Sequence, residues 1–328
     1  MPLRAPEFWR RDGAASKLLS PLAALYDAAV AARFARVHPA QAGVPVICVG
    51  NLALGGAGKT PVVLSLAKKL AARGVKVQIL SRGYGGRSRG PLRVDPQRHE
   101  AREVGDEPLL LAHATPCWVS ADRVAGAREA VSSGAEIILM DDGLQNPFLT
   151  KTCSLLVIDG DYGLGNGKVF PSGPLREDAA RGLARADAVV VMGEDRAGIA
   201  ARLAGKTVLR ARLTPAEPGK FAGRSFVAFA GIGHPGKFFR SAKEAGARIL
   251  TRHEFADHHP YRETELLALM VQARAAGASL LTTEKDWVRL PQEWRARIES
   301  FPVNVEWREE QALDRLLDDV LKRGTVRR

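Results

Sequence analysis

Between Val44 and Pro61 the chain runs Val-Pro-Val-Ile-Cys-Val-Gly-Asn-Leu-Ala-Leu-Gly-Gly-Ala-Gly-Lys-Thr-Pro, an apolar stretch that breaks into glycines and then into helix-forming sequence. This order predicts a strand, a loop that closes on a phosphate, and a helix. Gly55, Gly56 and Gly58, with Ala57 among them, let consecutive backbone N–H groups turn inward, and the helix that follows adds unpaired N–H groups and the positive end of its dipole. Lys59 then reaches the β- and γ-phosphates of a nucleotide, and the Thr60 hydroxyl ligates Mg²⁺. Gly55, Gly56, Ala57, Gly58, Lys59, Thr60 and Pro61 are therefore the expected nucleotide contacts. The strict pattern G-x-x-x-x-G-K-[ST] has glycine where this chain has Ala53, so the loop is expected to bend differently.

The 328 residues allow two domains, and 46% hydrophobic residues is ordinary for a folded α/β protein. A formal net charge of +12 calls for an anionic partner without choosing among nucleic acid, an acidic membrane surface and phosphorylated substrates. Cys48, Cys117 and Cys153 lie in expected strands without C-x-x-C spacing, which reads as buried reduced thiols in a reducing, cytoplasmic compartment. No run reaches the ~18 apolar residues of a membrane span, and a signal-peptide core and cleavage pattern are not expected at the N-terminus.

The fold expected is α/β: a P-loop NTPase-like, mostly parallel sheet domain over residues 38–218, with a smaller α/β domain over 219–328 closing the cleft. Residues 1–37 form an amphipathic lead. Arg4, Phe8, Trp9, Arg10 and Arg11 precede a helix with Leu18, Leu22, Leu25, Tyr26, Ala29, Val30 and Phe34 at helical spacing, and Arg33 and Arg36 near its end. Such a helix packs on the first domain, lies on a membrane surface, or does both.

Strands are expected over 75–80, 117–119, 136–141, 154–158, 188–191 and 207–213, followed by a linker over 214–219. Beyond it come a strand from Ser225, a strand over 247–254, a helix over 261–276, strands over 279–283 and 303–308, and a final helix. Ligands of open α/β sheets bind at the carboxyl ends of strands, which makes Arg82 and Tyr84 in the Gly/Arg-rich loop after Ser81 site candidates. Arg87 and Arg89 read equally as a solvated basic loop. Asp106 or Glu107, ahead of the helix from Leu109, suits a helix cap. Arg123 falls in the first turn of a helix, an end that cations usually avoid.

The run from Glu136 to Gly143 has the shape of a Walker B strand, putting Asp141 or Asp142 beside Thr60 to hold Mg²⁺, with a tight Asp-Gly turn as the alternative. The glycine-proline loop that ends in Arg176 and Glu177 is too long for a mere connector. Asp257, His258 and His259 suit proton transfer or substrate binding better than metal binding. Thr283 and Lys285, at a strand end, are expected to face the domain cleft.

Gly50-Asn51, the glycine loop through Pro61, Ser81 to Gly85, Gly105 to Pro108, Asp141 to Gly143, Gly173 to Glu177 and Asp257-His258 occur in one order. Together they closely resemble the tetraacyldisaccharide 4′-kinases, the lipid A 4′-kinases of Gram-negative bacteria, over nearly the whole chain. The resemblance implies Mg²⁺-dependent transfer of the ATP γ-phosphoryl group to the 4′-hydroxyl of a tetraacyldisaccharide 1-phosphate lipid, at the cytoplasmic face of the inner membrane.

It also implies a general-base pair in which Asp106 accepts the hydroxyl proton and a second-domain histidine, His258 by its place after Asp257, orients it. Lys59 and Mg²⁺ then spread the transition-state charge. Arg82, Arg123, Arg176 and Glu177 are implied to line the cleft, the arginines meeting phosphate groups. Where the family often has histidine after Asp-Asp-Gly-Phe-Gln, this chain has Asn146, a substrate-binding candidate that hydrogen-bonds but carries no charge. Acyl chains held in the bilayer give the N-terminal helix and the basic balance a common purpose, peripheral binding to an anionic membrane surface.

A nucleotide-switched dimer or metal-insertion GTPase is the competing class, but the related partition ATPases have a lysine where this chain has Leu54. Nucleic-acid binding ranks last, because the basic residues are scattered with few aromatics interleaved. No nucleic acid and no obligate protein partner are expected.

Overall fold

The computed structural model describes residues 6–203 and 205–325; residues 1–5 of the expected lead, Arg4 among them, lie outside these. The chain builds strands β1 (Val46–Gly50), β2 (Val77–Ser81), β3 (Leu92–Arg93), β4 (Cys117–Val119), β5 (Ile137–Asp141), β6 (Cys153–Asp159) and β7 (Ala188–Met192). There follow β8 (Thr207–Pro215), β9 (Ser225–Ala230), β10 (Arg248–Glu254), β11 (Ser279–Thr283), β12 (Glu299–Phe301) and β13 (Val303–Trp307). Nine of them form one sheet, ordered β13-β8-β7-β6-β1-β5-β2-β4-β3, and four form another, ordered β10-β9-β11-β12. The fold is the expected mixed α/β class with a large, mostly parallel sheet.

Every residue of β1, β2, β5, β6 and β7 is buried. Parallel strands covered by helices on both faces need continuous apolar runs, which is why Ile137-Ile-Leu-Met shows no alternation. The helix Lys59–Ala72 buries Val62, Val63, Leu66, Ala67 and Leu70, a stripe at three- and four-residue spacing. On the large sheet, β5 and β2 stack to one side of β1 while β6, β7 and β8 stack to the other. The crevice beyond the carboxyl ends of β1, β5 and β6 is thus a topological switch point.

The smaller sheet is parallel throughout. Phe221, Phe226, Phe238, Phe239 and Phe301 pack in one core cluster, and Phe229, Tyr261, Leu266, Leu280 and Trp294 in another.

Three stretches differ from expectation. β3 and β12, of two and three residues, are too short to show a period. Thr214 and Pro215, expected in a linker, extend β8 and pair antiparallel with β13. The segment expected to end the smaller domain therefore returns to the large sheet. Trp307 donates from Nε1 to Ser65 Oγ at 2.9 Å, and Leu313, Leu317 and Val320 of the helix Glu310–Thr325 join the large core.

The N-terminal helix Ser20–Arg36 buries Ala23 alone among its residues. Trp9 Nε1 donates to Pro171 O at 3.1 Å and Asn166 Nδ2 donates to Phe8 O at 3.0 Å, tying this lead to the long glycine-proline loop, and Asp27 pairs with Arg181 in the helix Ala179–Ala184 that follows. Leu18, Leu22 and Leu25 are 81%, 56% and 70% exposed. Among the described residues, no helix is long and apolar enough to cross a membrane.

Candidate active site

Gly55 and Gly58 adopt φ of +114° and +85°, backbone that strains any residue with a side chain. Buried Asn51 donates from Nδ2 to Ala53 O at 2.6 Å and to Gly55 O at 3.3 Å, holding the loop from inside. From outside, Leu54 N donates to Pro174 O and Arg176 N to Leu52 O, each at 2.8 Å. Ala53 bridges Leu175 in this clamp, so backbone pairing shapes the turn where the strict motif has glycine.

The helix from Lys59 starts directly after this loop, with Thr60 buried in its first turn. Lys59 Nζ lies 3.6 Å from Asp142 Oδ1, and Arg176 Nη1 lies 2.9 Å from Asp142 Oδ2. Burial raises the Asp142 carboxyl, but Lys59 and Arg176 outweigh it and hold Asp142 below the usual carboxylate range. Asp142 also carries a φ of 51°, and such strain gathers at functional sites.

Asp141, at the tip of β5, is 1% exposed, and neither carboxylate oxygen has a hydrogen-bond partner. Burial and the nearby Glu107 push it up to about 7 against the pull of Lys59. A buried carboxylate without donors is costly unless a cation completes it, and one or two carboxylates with phosphate oxygens suit Mg²⁺. Thr60 and Asp141 fit such an ion, whereas Asp142 already has two cationic partners.

Across the cleft, Asp106 opens the helix Asp106–Ala112 and is buried, while His258 follows β10 with a φ of 58°. His258 Nδ1 stands 2.9 Å from Asp106 Oδ2. His259 turns elsewhere, its Nε2 lying 2.9 Å from Glu265 Oε2 and its ring stacked on Phe255. The pairing histidine is therefore His258. Burial raises the Asp106 carboxyl, yet His258, Lys285 and Arg289 hold it below the ordinary range, so it is ionised and able to accept a proton.

Tyr84 is exposed and meets His258 edge-on, with ring centroids 5.8 Å apart. Arg82 is exposed, whereas Arg123 is buried and donates to Ser120 O. Burial, then Arg82, push Arg123 down to about 10, against the pull of Asp141 and Asp142, which puts its charge among these residues. Two further candidates have partners within the chain. Asn146 Oδ1 accepts from Phe148 N at 3.0 Å in a local turn, and Glu177, with no exposed surface, pairs with Arg185 and accepts from Gln145 Nε2 at 3.0 Å.

Sequence reasoning missed the support beneath His258. Arg289 Nε lies 3.4 Å from Asp106 Oδ2, and Arg289 Nη2 donates to Gly231 O at 2.9 Å and to Asp286 Oδ1 at 2.8 Å. Asp286 Oδ1 also accepts from Tyr261 Oη at 2.6 Å and from Gly231 N at 2.9 Å. The signal was there: Lys285 and Arg289 stand four apart just past a strand end, the spacing that places two side chains on one helical face.

A family model described as tetraacyldisaccharide-1-P 4′-kinase matches residues 15–322. The chain belongs to the tetraacyldisaccharide-1-P 4′-kinase family. A family member named tetraacyldisaccharide 4′-kinase from Paramagnetospirillum magneticum is 51% identical over 97% of this chain and 99% of its own length. Another of that name from Rhodospirillum centenum is 52% identical over 97% of each chain. Among solved structures, LpxK from Aquifex aeolicus in complex with ATP is 27% identical, with a TM-score of 0.75 over 94% of this chain and 100% of that one. The expected kinase family is thus met, and the nucleotide-switch alternative is not favoured.

Proposed function

We propose that this kinase transfers the γ-phosphoryl group of ATP to the 4′-hydroxyl of a tetraacyldisaccharide 1-phosphate, with the acceptor proton passing to Asp106. The observation that carries this reading is the 2.9 Å approach of His258 Nδ1 to Asp106 Oδ2 in the cleft, facing a phosphate loop. Backbone N–H groups from Gly55 to Thr60 bind the phosphates, and Lys59 leaves Asp142 to meet the β- and γ-oxygens. Thr60 and Asp141 would hold Mg²⁺, which neutralises charge developing between the β- and γ-phosphates when bound. Arg176, Arg123 and Arg82 supply further positive charge on the same side. His258 orients the Asp106 carboxylate, and Tyr84 borders the acceptor's path.

Leu22 and Leu25 lie three apart on the helix Ser20–Arg36 and Leu18 ends the short helix Ala14–Leu18 before it, all three exposed, and exposed Phe148 and Phe170 belong to loops, Phe170 meeting Tyr26 with ring centroids 5.7 Å apart. With the chain's positive balance, this surface suits shallow insertion into an anionic bilayer at its cytoplasmic face, where the acyl chains stay while the sugar enters the cleft. The test is transfer of labelled γ-phosphate from ATP to detergent-dispersed acceptor, with the product position read by NMR. Mg²⁺-dependent labelling at the 4′-oxygen supports the reading, and labelling elsewhere or none, from protein that binds ATP, rejects it.

A further inference from the structure

His258 has neighbours at both ring nitrogens. Nδ1 faces Asp106 Oδ2 at 2.9 Å, and Nε2 lies 3.4 Å from Lys285 Nζ. The Asp106 carboxylate accepts and does not donate, so the proton on that side belongs to Nδ1. An ammonium has three donors and no acceptor, so the nitrogen facing it must offer a lone pair. These two contacts select one neutral tautomer, with hydrogen on Nδ1.

The other groups around the ring do not reverse this choice. Asp257 Oδ1 is 3.8 Å from Nε2 and would favour hydrogen there, but its side chain is 44% exposed and water weakens its pull. Lys285 is less exposed and is fixed from its far side by Glu107 Oε1 at 3.0 Å, with Asp106 Oδ2 at 4.0 Å. Burial lowers the Lys285 ammonium, yet Glu107, Asp106 and Asp257 together raise it, so it stays charged. Arg289 faces Asp106 rather than the ring, and Tyr84 offers a ring edge.

We propose that Lys285 is a positioning residue for the transfer reaction: its ammonium, anchored on Glu107, holds His258 with hydrogen on Nδ1 and the Nε2 lone pair turned to the ammonium. The imidazole then orients Asp106 without competing for the proton that the acceptor hydroxyl releases. Glu107, one residue from the base, thereby acts through Lys285 on the opposite side of the cleft. The inference rests on the kinase reading above.

The experiment combines ring-nitrogen NMR with kcat for the full-length wild type, Lys285→Met and Lys285→Arg. Wild type should show the Nδ1–H tautomer at neutral pH. Lys285→Met should lose about tenfold in kcat and show a mixture of the two ring tautomers, because a ring without a donor facing Nε2 has nothing there to select one. Lys285→Arg, which keeps the charge and the donors, should restore the wild-type tautomer and kcat. An Nε2–H tautomer in wild type overturns the proposal even where the methionine variant fails to fold, as does a folded methionine variant that keeps the wild-type tautomer. A wild type that transfers no phosphate defeats the kinase reading instead, so the two failures are distinguishable.

Discussion

Asp106 and His258 come from different sheets, one opening a helix beside the large sheet and the other following β10 of the small one, yet their side chains meet at 2.9 Å. A second bridge, from Lys285 to Glu107 at 3.0 Å, crosses at the same place, and Lys237 reaches Asp159 at 2.5 Å elsewhere along the cleft. The Asp106–His258 pair is therefore assembled where the two sheets' loops meet.

Lys59 is poised on Asp142 and must turn to phosphate when nucleotide enters. Lys59→Ala is expected to lower kcat/KM by about 10²–10³, the scale of removing one preorganised electrostatic contact. Steady-state kinetics with ATP varied would check this, and an unchanged kcat/KM would remove Lys59 from the phosphate site.

Glu177 is expected to act on stability and not on acceptor binding. Removing it takes the carboxylate from part-exposed Arg185 and the acceptor from Gln145, which should cost on the order of 1.5–3 kcal/mol, the scale of hydrogen bonds to charged groups. Denaturant unfolding of Glu177→Ala would show this, alongside an acceptor KM within about twofold of wild type in protein that stays folded. A raised KM with unchanged stability would return Glu177 to the substrate.

The exposed N-terminal leucines should anchor the protein. Each buried leucine side chain adds roughly 1.5–3 kcal/mol, so Leu18→Ser, Leu22→Ser and Leu25→Ser combined should lower partitioning to anionic vesicles by at least about a hundredfold. Turnover of a short-chain soluble acceptor should be unaffected. Equal vesicle recovery of this variant and wild type would dismiss the surface role.

Asp106 should leave a mark on the pH dependence of stability. Its folded value is depressed, so the stabilisation it draws from His258, Lys285 and Arg289 is complete above the ordinary carboxylate value of about 4 and is lost as pH falls below it. Asp106→Asn should melt lower than wild type at pH 7, by on the order of 2–4 °C, with the gap closing towards pH 3. A gap independent of pH would contradict the depressed carboxyl.

Much of this was legible in the chain. Buried parallel strands such as β1 and β5 declare themselves as unbroken apolar runs, and the glycines before Lys59 mark the turn that follows. The Asp106–His258 contact was reachable only through resemblance, because Asp106 at the start of a helix looks like any cap and nothing local ties it to His258, 152 positions later. Glu177 and Asn146 show the opposite limit: polar residues at the end of a glycine-proline loop and in a turn carry no sign in the sequence of the partners they find, Arg185 and the Phe148 amide. The return of β13 to the large sheet was hidden because strand pairing partners leave no local signal in either strand.

The most direct test of the central claim is a single-turnover transfer measurement on Asp106→Ala and His258→Ala with ATP affinity measured in parallel. Each variant should transfer at least about a hundredfold more slowly than wild type while binding ATP within about threefold, as expected for loss of general-base chemistry that spares the phosphate loop. Transfer at near wild-type rates in either variant would contradict the assignment of that residue to the base pair.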